Sequence, residues 1–271
     1  MLHHLNAEFI YSRGRKMGIE HRFPGVMNSA SIFFVQRLGG KIVSALAVKP
    51  FAWITPNESF DGTMVGLVWT TPSQRGKGLA KKNLLAARSA MLAENRDFMV
   101  LWTTQPDFYS GNGWQAADCG LYGTFETQSQ RGIRETANPA VFDRIEVIRR
   151  RLVPRRASRY TDSDLPIPLC VGHLHAFIDA NAYAVLGFNG DEAFVLDIEG
   201  EPISLAHLWT RLSATARKIH VNVAANGVNA RFMSQIRVPL SPKPLAMWMP
   251  LSARAKNLDF SSIYIPFWDR I

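Results

Sequence analysis

A short segment rich in glycine and positive charge, residues 75–80, carries the residue types with the clearest chemistry. It reads Arg75-Gly76-Lys77-Gly78-Leu79-Ala80 and joins an apolar strand pattern to a helical one. Its glycines allow positive φ and close approach of a ligand. The unpaired N–H groups and the dipole at a helix start attract phosphate oxygens, and Arg75 and Lys77 add positive charge. The segment predicts a phosphate cradle.

Two common phosphate motifs do not fit this segment. A P-loop would continue Gly-Lys with Ser or Thr, and the dinucleotide fingerprint would have glycine at position 81, which is Lys81. The alternative interpretation is a glycine-rich turn that only starts a helix.

The elements around the cradle follow from hydrophobic periodicity. Strands are predicted near 31–36, 41–54 and 63–70, joined by short turns as an antiparallel meander. An amphipathic helix over 78–94 and a buried strand over 97–104 follow, which makes a parallel crossover. The pattern predicts an α/β (α+β) fold with a mixed, mostly antiparallel sheet flanked by helices.

Two ordered motifs resemble the GNAT superfamily of N-acetyltransferases. Arg75-x-x-Gly78-x-Ala80 is similar to its Arg/Gln-x-x-Gly-x-Gly/Ala signature, with Pro72 at a usual proline position. Downstream, the segment at 108–114, Phe-Tyr-Ser-Gly-Asn-Gly-Trp, is similar to the family's Phe-Tyr-x-x-x-Gly-Phe motif. The resemblance covers about residues 28–125 and implies a GNAT-like fold that uses acetyl-CoA as co-substrate and no metal.

The resemblance also implies roles for individual residues. The cofactor-binding residues would be the strand end that pairs with pantetheine and the loop that holds the pyrophosphate, namely Val68, Trp69, Thr70, Arg75, Gly76, Lys77, Gly78, Leu79 and Ala80. Tyr109 would be the general acid that protonates the leaving thiolate, with packing beneath the cofactor helix as the alternative. Asp61 is the candidate general base, with Glu58, a solvated turn or a water chain as alternatives.

The second half of the chain repeats the same order of elements. A hairpin over 182–198, a helix over 204–218 and a strand over 219–225 lead to further strands near 237–240 and 246–251. We therefore predict domains at 1–135 and 161–271 with a basic connector at 136–160, as in a tandem GNAT protein. The second copy has acidic residues where the cradle would be (Asp197, Glu199 and Glu201), which predicts a degenerate domain without CoA.

Charge and composition bear on partners and location. The net charge is +9, and six arginines lie between 149 and 159 without an acid among them. A solvated connector is favoured over RNA binding there, because no aromatic or glycine-rich RNA motif accompanies the cluster. The spacing of His173 and His175 favours a structural pair over a metal site. Two cysteines, no long apolar run and no signal-peptide pattern predict a cytoplasmic protein without a membrane segment.

The sequence thus favours an acetyl-CoA-dependent N-acetyltransferase acting on a primary amine, in a small molecule or a protein. One alternative is a non-catalytic acyl-CoA sensor or scaffold, and another is a nucleic-acid-associated protein that uses the arginine cluster. The degenerate domain would wall the acceptor site or mediate a homodimer. The acceptor itself is left open, because its pocket would come from variable loops.

Overall fold

The computed structural model describes residues 1–13, 18–19, 31–54, 57–127, 144–145, 147–149, 157–158, 174–189, 191–266 and 270. These residues form two mixed sheets with helices packed on their faces. Among them, no helix is long and apolar enough to cross a membrane.

The first sheet is built mainly from the N-terminal half. A helix α1 (Leu2–Phe9) precedes the antiparallel strands β1 (Ile32–Leu38), β2 (Lys41–Ile54) and β3 (Ser59–Thr70). Helix α2 (Leu79–Ala93) then crosses over to β4 (Phe98–Trp102), which pairs parallel to β3. The meander and the parallel crossover predicted from the sequence are both confirmed.

A short helix α3 (Pro106–Ser110) and strand β5 (Gln115–Ala116) follow β4. Strand β5 does not pair with β4, because β13 (Ala246–Pro250) lies between them and is antiparallel to both. Two residues, β7 (Ala157–Ser158), pair with the far end of β2.

Helices cover both faces of this sheet. On one face, Leu84, Ala87 and Met91 of α2 pack against Met99 and Leu101 of β4. On the other, α1 packs against Trp69 and Ala45, and the segment at 255–265 covers Phe98 and Trp248. This burial fixes α2 beside the end of β3, where the predicted cradle lies.

The second sheet repeats the order of the first. Strands β8 (Leu174–Asp179), β9 (Ala182–Asn189) and β10 (Glu192–Gly200) form a meander. Helix α4 (Pro202–Ser213) crosses over to β11 (Lys218–Ala224), parallel to β10. Helix α5 (Val228–Gln235) and strand β12 (Leu240–Pro242) follow β11 in the chain. Strand β12 does not pair with β11, because β6 (Gly120–Glu126) lies between them and is antiparallel to both.

The two sheets exchange their last strands. Strand β6 follows β5 in the chain but lies between β11 and β12, and β13 follows β12 but lies between β4 and β5. The division predicted at 136–160 therefore does not match sheet membership for β6 and β13. The connector itself lies mostly outside the described residues, and its boundaries stay a prediction.

The arginine cluster differs from expectation at the described position. Arg149 is only 6% exposed, and its Nε lies 3.9 Å from Oδ2 of the buried Asp197, which also accepts a hydrogen bond from Tyr183 Oη at 2.7 Å. This side chain is held inside the second half rather than solvated, because a buried carboxylate requires a partner. The other five arginines lie outside the described residues.

Candidate active site

A cleft opens where β3 and β4 separate. The two strands pair only between Gly62–Met64 and Phe98–Val100, and beyond that point they diverge. The resulting cavity has a volume of about 990 Å³ and is lined on one side by Val65 to Thr70 and on the other by Leu101 to Gln105. Unpaired strand edges inside a cleft offer backbone N–H and C=O groups to a ligand.

A β-bulge turns the backbone of β3 within this cleft. The register with β2 shifts so that Leu67 and Val68 both oppose Leu46, and Leu67 has a φ of +52°. A positive φ is unfavourable for a branched side chain, and such strain concentrates at functional sites. Bulges re-aim neighbouring groups, here at the wall of the cleft.

One cleft-facing backbone group at the end of β3, the C=O of Thr70, is already hydrogen-bonded within the chain. Thr71 N–H donates to Val43 C=O of β2 at 2.9 Å, so alternation directs the backbone groups of Thr70 to the other side. There, Thr70 C=O accepts a hydrogen bond from Arg75 Nε at 3.1 Å.

The predicted cradle has the geometry that phosphate binding requires. Gly76 and Gly78 have φ values of +77° and +72°, and nothing lies within 4 Å of the position that a Cβ would take in either. The first hydrogen bond of α2 runs from Lys82 N–H to Gly78 C=O, so the N–H groups of residues 79–81 have no acceptor in the helix. Backbone approach, free donors and the helix dipole together fit a pyrophosphate group.

Most of the predicted cofactor-binding residues line this one cleft. They are Val68, Trp69, Thr70, Arg75, Gly76, Gly78, Leu79 and Ala80. Lys77 is not among the lining residues, and its Nζ donates to Gln74 Oε1 at 2.9 Å. The positive charge that the loop presents directly to the cleft is that of Arg75.

Tyr109 reaches the cleft from α3. Its side chain is 8% exposed and packs edge-to-face against Phe108 and Trp114, with ring centroids 4.8 and 6.1 Å away. Burial raises the pKa of its phenol to about 12, so the hydroxyl is protonated at neutral pH. Among the described residues the hydroxyl has no hydrogen-bond partner, which leaves it available to a ligand.

Asp61 is not brought to this cleft. It lies on the closed side of the point where β3 and β4 separate, and its exposed side chain is not part of the lining. Its backbone pairs with Asp97, as Asp61 N–H donates to Asp97 Oδ2 at 2.8 Å and Asp97 N–H to Asp61 C=O at 2.7 Å. Its assignment as general base stays a prediction without a contact that supports it.

Among the lining residues that sequence reasoning missed are Glu8 and Leu245. Glu8 of α1 faces the cradle, and Leu245 reaches the cleft from the second half, one residue before β13. No local pattern marks either residue, because the first depends on the packing of α1 and the second on the strand exchange.

The corresponding junction of the second sheet is closed. A Cβ on Gly200, at the end of β10, would lie 2.3 Å from Ala182 Cβ, and Glu201 N–H donates to Asn181 C=O at 3.1 Å. Pro202, the first residue of α4, has no N–H to donate, and Glu201 presents there a carboxylate that accepts from Asn181 Nδ2 at 3.0 Å. This junction does not have the cradle geometry. Among the described residues, no group of three or more His, Cys, Asp or Glu side chains could hold a metal ion.

Comparisons with known proteins agree with this geometry. A family model described as an acetyltransferase (GNAT) domain matches residues 2–117. No protein with curated annotation matches the chain. A conserved protein of unknown function from Enterococcus faecalis, described as a probable N-acyltransferase, has a TM-score of 0.72 at 12% identity over 94% of this chain and 71% of its own.

Two further structures have the same fold. A GCN5-related N-acetyltransferase from Kribbella flavida has a TM-score of 0.60 at 14% identity, over 80% of this chain and 59% of its own. One from Anabaena variabilis has a TM-score of 0.63 at 12% identity, over 82% of this chain and 63% of its own. The chain thus spans about three fifths of these two relatives. At such identities the likeness establishes the fold.

Proposed function

We propose that this chain, whose residues 2–117 match a family model described as an acetyltransferase (GNAT) domain, transfers an acetyl group from acetyl-CoA to a primary amine. The observation that carries the proposal is the open glycine cradle at the mouth of the cleft between β3 and β4. Its size is at the upper end of small-molecule sites, as an extended cofactor requires.

Different parts of the chain would bind different parts of the cofactor. Gly76, Gly78 and the N–H groups of residues 79–81 would hold the pyrophosphate. The backbone of Val68 and the N–H of Thr70 would pair with the pantetheine amides, since Thr70 C=O already accepts from Arg75 Nε. When bound, acetyl-CoA supplies the thioester that is the acyl donor. The backbone N–H groups at the bulge would donate to the thioester carbonyl oxygen, where negative charge develops during acyl transfer.

Tyr109 Oη is the proton donor in this proposal. Its buried phenol stays protonated at neutral pH, and proton donation to the departing sulfur completes the transfer. The amine attacks directly, and it must be neutral to do so. Because Asp61 does not reach the lining, we assign removal of the amine proton to water in the cleft.

The second half contributes to the acceptor side. Leu245 lines the cleft beside Trp102, which favours a wall of the acceptor site over a purely dimerising role. We assign the reaction to the cytoplasm, as the composition predicts.

The proposal is tested by two matched glycine substitutions, Gly76→Ala and Gly40→Ala. Both glycines have a φ of +77° with open space around the Cβ position, but Gly40 lies in the β1–β2 turn. Alanine at such a φ costs about 1 kcal/mol of folding free energy at either site. Only at Gly76 would the new methyl group also crowd a bound pyrophosphate.

Acetyl-CoA affinity is measured by calorimetry, and CoA release by thiol titration across a panel of primary amines. We expect Gly76→Ala to weaken affinity about tenfold or more, on the scale of 1.4 kcal/mol per decade, and Gly40→Ala to leave it unchanged. Equal affinities for the two variants would refute the cradle. Binding without amine-dependent CoA release would identify the chain as a sensor or scaffold.

A further inference from the structure

The arginine of the cradle, Arg75, is already paired with a carboxylate. Glu8 Oε1 accepts a hydrogen bond from Arg75 Nη2 at 3.0 Å, while Arg75 Nε donates to Thr70 C=O at 3.1 Å. Glu8 and Arg75 both line the cleft, and Glu8 is the only acidic residue among its described lining residues. The guanidinium is thus held by one backbone group and one negative charge.

The contact between Glu8 and Arg75 is suited to exchange. The side chains of Arg75 and Glu8 are 53% and 41% exposed, so water and salt screen their attraction. Exposed ion pairs of this kind change equilibria by less than about tenfold. A pyrophosphate carries more negative charge than one carboxylate and can accept from Arg75 and from the backbone N–H groups at once.

Both anions cannot occupy the same place. A phosphate oxygen that accepts from Arg75 Nη2 would lie where Glu8 Oε1 now lies, and two anions at such a distance repel each other. A phosphate oxygen that takes this Nη2 hydrogen bond therefore requires Glu8 to turn away from Arg75.

We propose that Glu8 sets the cofactor affinity of the cleft by holding Arg75 until the pyrophosphate displaces it. The proposal rests on the proposed function, because it names a competitor for the same cradle. It makes α1 a part of the cofactor site, since displacement breaks an ion pair that joins α1 to the loop.

The test uses Glu8→Gln and the matched control Glu94→Gln in the full chain. Glu94 Oε2 lies 3.2 Å from Arg96 Nη2, and the Glu94 side chain is 40% exposed against 41% for Glu8, but neither Glu94 nor Arg96 lines the cleft. CoA affinity is measured by calorimetry in low salt and in about 1 M salt, where the Debye length falls to about 3 Å. We expect Glu8→Gln to tighten CoA binding about two- to fivefold in low salt. In high salt the gain disappears.

Repeating the comparison in an Arg75→Gln variant shows whether Glu8 acts through Arg75. If Glu8 acts by occupying Arg75, Glu8→Gln adds nothing to Arg75→Gln, whereas an independent effect would persist. Binding of CoA that is unchanged or weakened in Glu8→Gln overturns this inference and leaves the proposed function intact. A wild-type chain that does not bind CoA at all contradicts the proposed function, and the inference with it.

Discussion

At the scale of single residues, sequence motifs identify some of the side chains that line the cleft and miss others. Tyr109 lies in the cleft because its motif places it on a short helix directly after β4. The position of Asp61 before the cradle predicts a general base, yet Asp61 lies at the paired end of β3, away from the point where β3 and β4 diverge. Glu8 has no motif, and its role depends on a contact 67 residues away in the chain.

Replacing Tyr109 by Phe tests the proton donor. Burial holds the pKa of Tyr109 at about 12, so the lost group is a protonated hydroxyl with no partner among the described residues. We expect turnover with a reactive amine to fall about 10²- to 10⁴-fold, with the KM for acetyl-CoA within a few fold of the wild type. Tyr11→Phe, at a 50% exposed tyrosine, is the control. Unchanged turnover in Tyr109→Phe would mean that Tyr109 only packs.

At the scale of elements, the local order of the fold was predictable and its irregularities were not. The cradle, α2 and the strands beside it follow from glycine positions and hydrophobic periodicity, which act within a few residues. The bulge at Leu67 was not predictable, because it is a mismatch between two strands rather than a property of either sequence. Asp97, at the turn between α2 and β4, likewise acquires its role only from residues that fold against it.

Asp97 joins β3, β4 and the segment after β13. Its carboxylate accepts from Arg254 Nε and Ser252 Oγ, each at 2.7 Å, and from Asp61 N–H at 2.8 Å. Burial pushes the pKa of Asp97 up, but these hydrogen bonds outweigh it and hold the pKa below its usual 3.8. A lowered folded-state pKa means that this stabilisation is complete above pH 3.8 and is lost as pH falls through the folded value.

Asp97→Asn should therefore destabilise the chain in a pH-dependent way. At pH 7 we expect a loss of about 1.5–3 kcal/mol in the free energy of unfolding, because charged hydrogen bonds to Arg254 are weakened. The difference from the wild type should shrink below about pH 4, as measured by urea unfolding. Ser110→Ala, at an exposed side-chain hydrogen bond in α3, is the control. A difference that is equal at pH 7 and pH 3 would show that the carboxylate charge is not responsible.

At the scale of the whole molecule, two sheets of the same order share their last strands. The repeat of hairpin, crossover and strand was predictable from the sequence because each unit is local. The exchange of β6 and β13 was not, because neither strand sequence specifies which sheet accepts it. Each half supplies a central strand to the other sheet, so the first half cannot complete its sheet alone. The same exchange brings Leu245 to the cleft.

The symmetry of the two sheets stops at the cradle. Gly76 and Gly78 leave open space at the first strand–helix junction, whereas Gly200 is packed against Ala182 at the second. Of the two strand–helix junctions that the structure describes, one therefore has the open cradle geometry. This asymmetry predicts that each chain binds one acetyl-CoA.

Calorimetric titration of the chain with acetyl-CoA tests this prediction most directly, because it reports affinity and stoichiometry together. We predict one acetyl-CoA per chain, with affinity that falls as salt is raised because a phosphate group contacts Arg75. Two equivalents per chain would contradict the closed second junction. No saturable binding would contradict the assignment of this cleft to acetyl-CoA.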